Sequence, residues 1–238
     1  MSSKQEQQSS VEIIGRLGRD PELKRTENDV PYTKLFIATT ERVKRGDAEH
    51  ERTEWHNATV WGPKAEEIAG QFKKGDSVVL SGELRINSYD KDGGKNRVTE
   101  INVNEVQKNL DRAPDKNESR IVGVVRDDPK GREFGQGKQM TTLSVATKTM
   151  VNGREREDWH SVTAWEDKAV AARELKKGDL VQIEGPVKHR SFSGEDGIKR
   201  KFSSVECQRF QVLERAQDLA PAPKVRSGRK GKGIEPGM

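Results

Sequence analysis

The chain repeats itself, and that restricts its possible folds more than any other feature. Gly15-Arg16-Leu17-Gly18-Arg19-Asp20-Pro21 returns in degraded form as Gly123-Val124-Val125-Arg126-Asp127-Asp128-Pro129. Leu35-Phe36-Ile37-Ala38-Thr39 returns as Leu143-Ser144-Val145-Ala146-Thr147, Glu54-Trp55-His56 as Asp158-Trp159-His160, and Trp61 as Trp165. Lys73-Lys74-Gly75-Asp76 then matches Lys176-Lys177-Gly178-Asp179, and Gly82 matches Gly185. Order kept over such a distance indicates duplicated structural units. The expected division is a disordered N-terminus over 1–10, a first unit over 11–107, a linker over 108–118, a second unit over 119–214 and a basic disordered tail over 215–238. Pro114, Asp/Asn turn residues and charges mark the linker, and low-complexity polar composition marks both ends.

Within each copy the pattern reads strand, strand, strand, short helix, strand, strand. Val, Ile and Thr alternate with polar residues in the strands, as half-buried sheets require. The first helix is expected to start at Pro63, with Ala65, Ile68, Ala69 and Phe72 forming a stripe that plugs a barrel end. Ala169, Ala172 and Leu175 repeat it more weakly. One helix between the third and fourth of five antiparallel strands fits the OB-fold, a Greek-key barrel. The expected class is therefore all-β, as two tandem OB-folds. Only 31% of residues are hydrophobic and 35% are charged, which suits two small thin-cored barrels better than one large catalytic domain.

Alternation also places the tryptophans. Trp55, Asn57, Thr59 and Trp61 share one face of the third strand, while His56, Ala58 and Val60 share the other. Apolar Ala58 and Val60 belong in the core, so both indoles are expected to face outward among polar residues. Trp159, Ser161, Thr163 and Trp165 repeat the arrangement against His160, Val162 and Ala164. A duplicated stripe of exposed rings suits the stacking of nucleobases, whatever their identity. The competing reading packs these rings into a core or a subunit interface.

Two further sets of residues are candidates for the same surface. The hairpin joining strands four and five carries Arg85, Tyr89, Lys91, Lys95 and Arg97 around Asp92-Gly93. Its counterpart carries Lys188, Arg190, Phe192, Lys199, Arg200 and Lys201 around Asp196-Gly197. The arm between strands two and three offers Arg42, Lys44, Arg45 and Arg52, and in the second copy Lys148, Arg154 and Arg156, as phosphate contacts or as a plain solvated loop. The formal charge is +5, yet Lys224, Arg226, Arg229, Lys230 and Lys232 against Glu235 account for most of it, so the body is nearly neutral. Any footprint of an acidic partner there must come from charge placement.

Catalytic constellations are missing from the sequence: there is no paired-cysteine spacing, Gly-rich phosphate loop or nucleophile elbow. No cofactor, no metal and no enzymatic activity are expected. His56 and His160 read as core or interface histidines, and Asp20, Asp127 and Asp128 as turn residues beside prolines. The lone Cys207 and the lack of a long apolar run suggest a cytoplasmic protein without membrane association.

Gly15 to Glu22, Glu54-Trp55-His56, Trp61-Gly62 and Lys73-Lys74-Gly75 resemble the bacterial-type single-stranded DNA-binding protein family. The likeness spans Val11 to Gln107, with a more diverged second copy from Ser119 to Leu213. It implies OB-folds, single-stranded DNA as partner without sequence preference, roles in replication, repair or recombination, and a homodimer presenting four OB domains. It also implies stacking on Trp55, Trp61 and Tyr89, and on Trp159, Trp165 and Phe192. Val43 and Val151 stand where many members carry another stacking Trp. Typical members end in an acidic, Phe-terminated recruiting tip, whereas Arg229 to Met238 is basic, so recruitment through that tip is not implied. The other readings are an RNA-binding or strand-annealing OB protein, and a scaffold whose second copy has become a dimerisation or docking module. The replacement of Gly18 and Arg19 by Arg126 and Asp127 permits the latter.

Overall fold

The computed structural model describes residues 6–45, 48–91, 94–151, 153–193 and 199–218. The first unit comprises β1 (Gln8–Leu17), β2 (Leu23–Arg25), β3 (Pro31–Arg45), β4 (Ala48–Trp61), α1 (Pro63–Gln71), β5 (Ser77–Lys91) and β6 (Gly94–Lys108). The second comprises β7 (Lys116–Val125), β8 (Lys130–Glu133), β9 (Gln139–Val151), β10 (Arg154–Trp165), α2 (Glu166–Ala172), β11 (Leu180–Gly185), β12 (Val187–Ser193), β13 (Lys199–Glu206) and β14 (Arg209–Glu214). Short β2 and β8 precede the long arms, so the tryptophan-bearing third strand becomes β4 in one copy and β10 in the other. Pro186, which has no N–H to donate, separates β11 from β12, where the first unit instead runs β5 through a bulge at Ser81/Gly82.

Each unit closes into a barrel. In the first, β1 pairs with β3 and β5, β3 with β4, and β5 with β6. A parallel pairing of β4 with β6 at Ala58↔Ile101 completes the ring. The second repeats that parallel closure between β10 and β13 at Val162↔Val205. The glycines of the repeated motif are explained here. A Cβ on Gly15 would lie 2.3 Å from the Ala38 carbonyl oxygen, and one on Gly123 2.3 Å from that of Ala146. Bare backbone at those points lets the first strand bend across the barrel. Gly82 and Gly185 meet the facing carbonyls of Asn102 and Glu206 in the same way.

Ile13, Leu17, Leu35, Ile37, Leu80 and Leu84 fill the first barrel, and Ala65, Ile68 and Phe72 of α1 and its end close it. Ile121, Val125, Val145, Val162, Val181 and Ile183 fill the second, beneath Ala169, Ala172 and Leu175. Burial of each large aliphatic contributes about 1.5–3 kcal/mol. The Lys-Lys-Gly-Asp repeat is a turn gripped from both ends. Asp20 Oδ1 accepts the Lys74 N–H at 2.7 Å and Asp76 Oδ2 that of Lys73 at 3.0 Å, and Asp128 and Asp179 do the same for Lys177 and Lys176.

The two barrels share a seam with two-fold character. Strand β1 pairs antiparallel with β7 so that Val11 faces its own repeat counterpart Ser119, Ser9 faces Ile121 and Ile13 faces Asn117. That pairing draws Gln8–Ser10 and Lys116–Glu118 into strands, beyond the boundaries read from composition. Lys116 there bridges Glu12 and Glu118, both at 3.0 Å, so its charges serve a ladder edge. The remaining connection is tied down as well, since Asp115 Oδ2 accepts the Thr40 N–H at 2.8 Å. The basic tail from Leu219 to Met238 and the Asp92-Gly93 and Asp196-Gly197 turns lie outside the described residues.

Reciprocal clamps lock the seam. Asp158 on β10 reaches β5 of the first barrel, accepting the Ile86 N–H at 3.1 Å and pairing with Arg85 at 3.0 Å. Its counterpart Glu54 accepts the N–H of His189, the counterpart of Ile86, at 3.1 Å and lies 3.8 Å from Lys188, the counterpart of Arg85. Arg85 also donates to Thr149, and Lys188 to Glu41, at equivalent positions. Burial pushes the Asp158 carboxyl upward, but the Ile86 N–H, Arg85 and Arg156 hold it below the usual carboxylate value.

Behind the clamps lie His56 and His160, buried against Thr39 and Thr147 hydroxyls at 2.9 Å. Burial, then His189 and Lys188, lowers the His56 pKa to about 3, and burial lowers that of His160 to about 4. Unfolded chains take up protons below about 6.5 that the folded imidazoles refuse, so stability is full above that pH and lost as pH falls toward 4. Thermal unfolding followed by circular dichroism should show a midpoint that drops across this window. The His56→Gln/His160→Gln variant should flatten the drop above pH 5, where carboxylates contribute least. Gly15→Ala or Gly123→Ala should each cost about 1–3 kcal/mol in the same measurement, because the new methyl must displace backbone.

Candidate nucleic-acid interface

Strands β4 and β10 turn their tryptophans to solvent. Trp55, Trp61 and Trp159 are 42%, 49% and 39% exposed, and Trp165 is half-buried. The residues between them are less open than alternation alone suggests. Thr59 and Thr163 are buried because β6 and β13 lie alongside, and their hydroxyls meet Glu100 at 2.6 Å and Ser204 at 3.4 Å.

Each indole has its own support. In the first barrel Trp55 stacks on Phe36, with ring centroids 4.5 Å apart and planes 9° apart, and the Arg19 guanidinium carbon lies 5.5 Å from the centroid of Phe36. Trp61 leans on Tyr32 at 5.2 Å, directly opposite it in the β3–β4 register. Gly18 makes room for this, since a Cβ there would stand 2.4 Å from Cζ3 of Trp55. The second barrel solves the problem differently. Ser144 replaces Phe36 and Arg126 replaces Gly18, and the Arg126 guanidinium carbon lies 5.0 Å from the Trp159 centroid while pairing with Glu157 at 3.5 Å. Trp165 sits 6.3 Å from Phe134 and 5.7 Å from the Arg190 guanidinium carbon. A guanidinium over an indole contributes about 0.5–1 kcal/mol at an exposed site and brings positive charge to the stacking surface.

Several of the expected contact residues also bond within the protein. The Arg85 side chain is only 15% exposed and bonds to Asp158, Thr149 and Glu83, so it joins the barrels. Arg52 pairs with Glu54 at 3.0 Å and Arg156 with Asp158 at 3.1 Å, which makes them flanks of the clamps. Arg156 also donates to the Ile86 carbonyl at 3.0 Å. Arg42, near Glu51 at 3.7 Å, lies exposed along the first arm with Lys44, and Arg154 lies exposed on the second arm. The side chains of Tyr89, Arg97 and Phe192 lie outside the described residues, although their backbones belong to β5, β6 and β12.

Tyr32, Phe36, Phe134, Arg19 and Arg126 belong to the aromatic and cationic surface without having been singled out in the sequence. For Tyr32 and Phe36 a signal existed: with Lys34 they form an aromatic-basic-aromatic alternation on the strand opposite the tryptophans. Among the described residues no cluster of three or more His, Cys, Asp or Glu is arranged for a metal ion, and no helix is long and apolar enough to cross a membrane. Gly18→Ala should dislodge Trp55 from Phe36 and shift Trp emission without unfolding the barrel, as near-ultraviolet against far-ultraviolet circular dichroism would show.

The profile of the Single-strand binding protein family matches residues 8–109 and 116–213. A relative named "Single-stranded DNA-binding protein" from Deinococcus radiodurans is 30% identical over 227 residues, covering 86% of this chain and 75% of its own length. One of the same name from Thermus aquaticus is 25% identical over 252 residues, covering 97% and 94%. Another, from Xanthomonas axonopodis pv. citri, is 40% identical over 102 residues, or 42% of this chain and 56% of that protein. The crystal structure of the wild-type single-stranded DNA binding protein from Thermus aquaticus superposes with a TM-score of 0.75 at 24% identity, covering 92% of this chain and 97% of that one. At that identity the superposition establishes a shared fold.

Proposed function

The chain belongs to the single-strand binding protein family, and from that premise we propose that it coats single-stranded DNA without sequence preference, stacking bases on Trp55, Trp61, Trp159 and Trp165. One observation carries the reading: both barrels hold two indoles on the same outward face, each braced by another ring or a guanidinium. A ring held in place needs no ordering when a base arrives, and every base offers a π-face. Arg19, Arg126 and Arg190, which lie against the rings, and Arg42, Lys44 and Arg154, exposed on the arms, are the phosphate partners in this reading. Tyr89, Phe192 and Arg97, carried by β5, β12 and β6, are further candidates for contact with the strand. The protein acts as a cytoplasmic, non-enzymatic binder that protects exposed strands in replication, repair or recombination, and as a homodimer presenting four OB domains. The basic tail adds affinity by displacing counterions from the strand.

Titration with poly-dT should quench tryptophan emission strongly, and log K should fall linearly with log salt. Each of Trp55→Ala, Trp61→Ala, Trp159→Ala and Trp165→Ala should cost about 1–3 kcal/mol of binding. An unaltered emission spectrum at saturating poly-dT would overturn the proposal. Removing Pro221–Met238 should flatten the salt slope, and mass measurement in solution should return twice the chain mass.

A further inference from the structure

The arm of the second barrel crosses onto the tryptophan face of the first. Four contacts hold the stem of β9–β10 against β5: Asp158 to the Ile86 N–H, Arg156 to the Ile86 carbonyl, Arg85 to Asp158 and Arg85 to Thr149. Val151, at the end of β9, therefore lines the same groove as Trp61. The groove is open and of about 560 Å³, with Val30, Trp61, Asn87 and Asn102 contributed by the first barrel and Val151 and Arg156 by the second.

We propose that this shared groove holds a nucleotide of the single strand where the strand passes from one barrel to the other. The inference rests on the DNA-binding reading above and adds a site and a path to it. A nucleobase is a flat ring with a polar rim, and the groove matches both properties. Trp61, 49% exposed, offers a stacking face, and Val30 and Val151, 43% and 38% exposed, offer aliphatic walls from opposite barrels. Asn87 and Asn102 are polar residues of the lining that suit the edge of a base. The volume lies within the range of about 300–1,000 Å³ common to small-ligand sites.

The acid in the groove already has partners. Glu100 accepts from the Thr59 hydroxyl at 2.6 Å and the Asn87 amide at 2.7 Å and lies 3.4 Å from Lys34. On the rim Arg156, although paired with Asp158, keeps 40% of its side chain in solvent, where a phosphate would pass. Val151 thus has a use even though it is no aromatic: it closes the first barrel's site from outside that barrel.

The test uses the full chain carrying Val151→Cys labelled with a polarity-sensitive dye. Cys207 does not compete, because it is buried and burial pushes its thiol up to about 11. The probes are oligo-dT of about 8 nucleotides, within the reach of one OB unit, and of about 40, enough to cross both. The longer oligomer should blue-shift the dye, while the same dye on the neighbouring Met150→Cys, which points away from the groove, stays silent. Val151→Asp should weaken binding of the longer oligomer at least threefold. A silent dye at 151 alongside quenched tryptophans would overturn the groove and leave the DNA-binding reading standing, as would wild-type affinity in Val151→Asp. Unquenched tryptophans would remove both.

Discussion

Two carboxylates, Glu54 and Asp158, hold this molecule in the form on which its surface depends. Each leaves its own barrel, accepts a backbone N–H from the other, and sits beside that barrel's basic side chain. Buried ion pairs of this kind add little net stability, since desolvation offsets most of the attraction, but breaking one leaves a stranded charge. Their contribution is orientation. Together with the β1–β7 ladder they fix how each arm meets the neighbouring tryptophan face.

The aromatic face presents a second physical problem, which is how to keep four indoles partly in water without letting them collapse or wander. The answer differs between the barrels. Phe36 and the empty space at Gly18 cradle Trp55, whereas Arg126 covers a face of Trp159 and Ser144 leaves room for it. These substitutions fit as a pair: a side chain at 18 would strike an indole already stacked on a ring, whereas at 126 the guanidinium lies over the indole that Ser144 leaves unstacked. The second barrel therefore keeps the same exposed ring while moving its support from dispersion toward charge.

Much of this could be read from residue order. Period-two alternation put the tryptophans outward and His56 and His160 inward, because Ala58 and Val60 had to face the core. The glycines of the repeat marked where strands cross, and the stripe from Ala65 to Phe72 marked the plug. What escaped was whatever depends on a partner distant in the sequence. An arginine on a hairpin looks the same in sequence whether it waits for phosphate or, like Arg85, is taken up by Asp158. The burial of Thr59 and Thr163 depended on parallel neighbours β6 and β13, which no local pattern announces. Boundaries at Gln8 and Lys116 were missed for the same reason: their strands exist only because each completes the other.

The self-matching register of that ladder, with Val11 against Ser119, is what a symmetric pair of separate chains would show at its dyad. In such a pair every substitution is made twice, once on each side of the axis, so both sides must tolerate it. Covalent joining lifts that restriction. Arginine on one side of the seam and lysine on the other, threonine facing one and glutamate the other, are asymmetries open only to a chain that encodes its two halves separately, and each half is free to specialise while the contact between them is preserved.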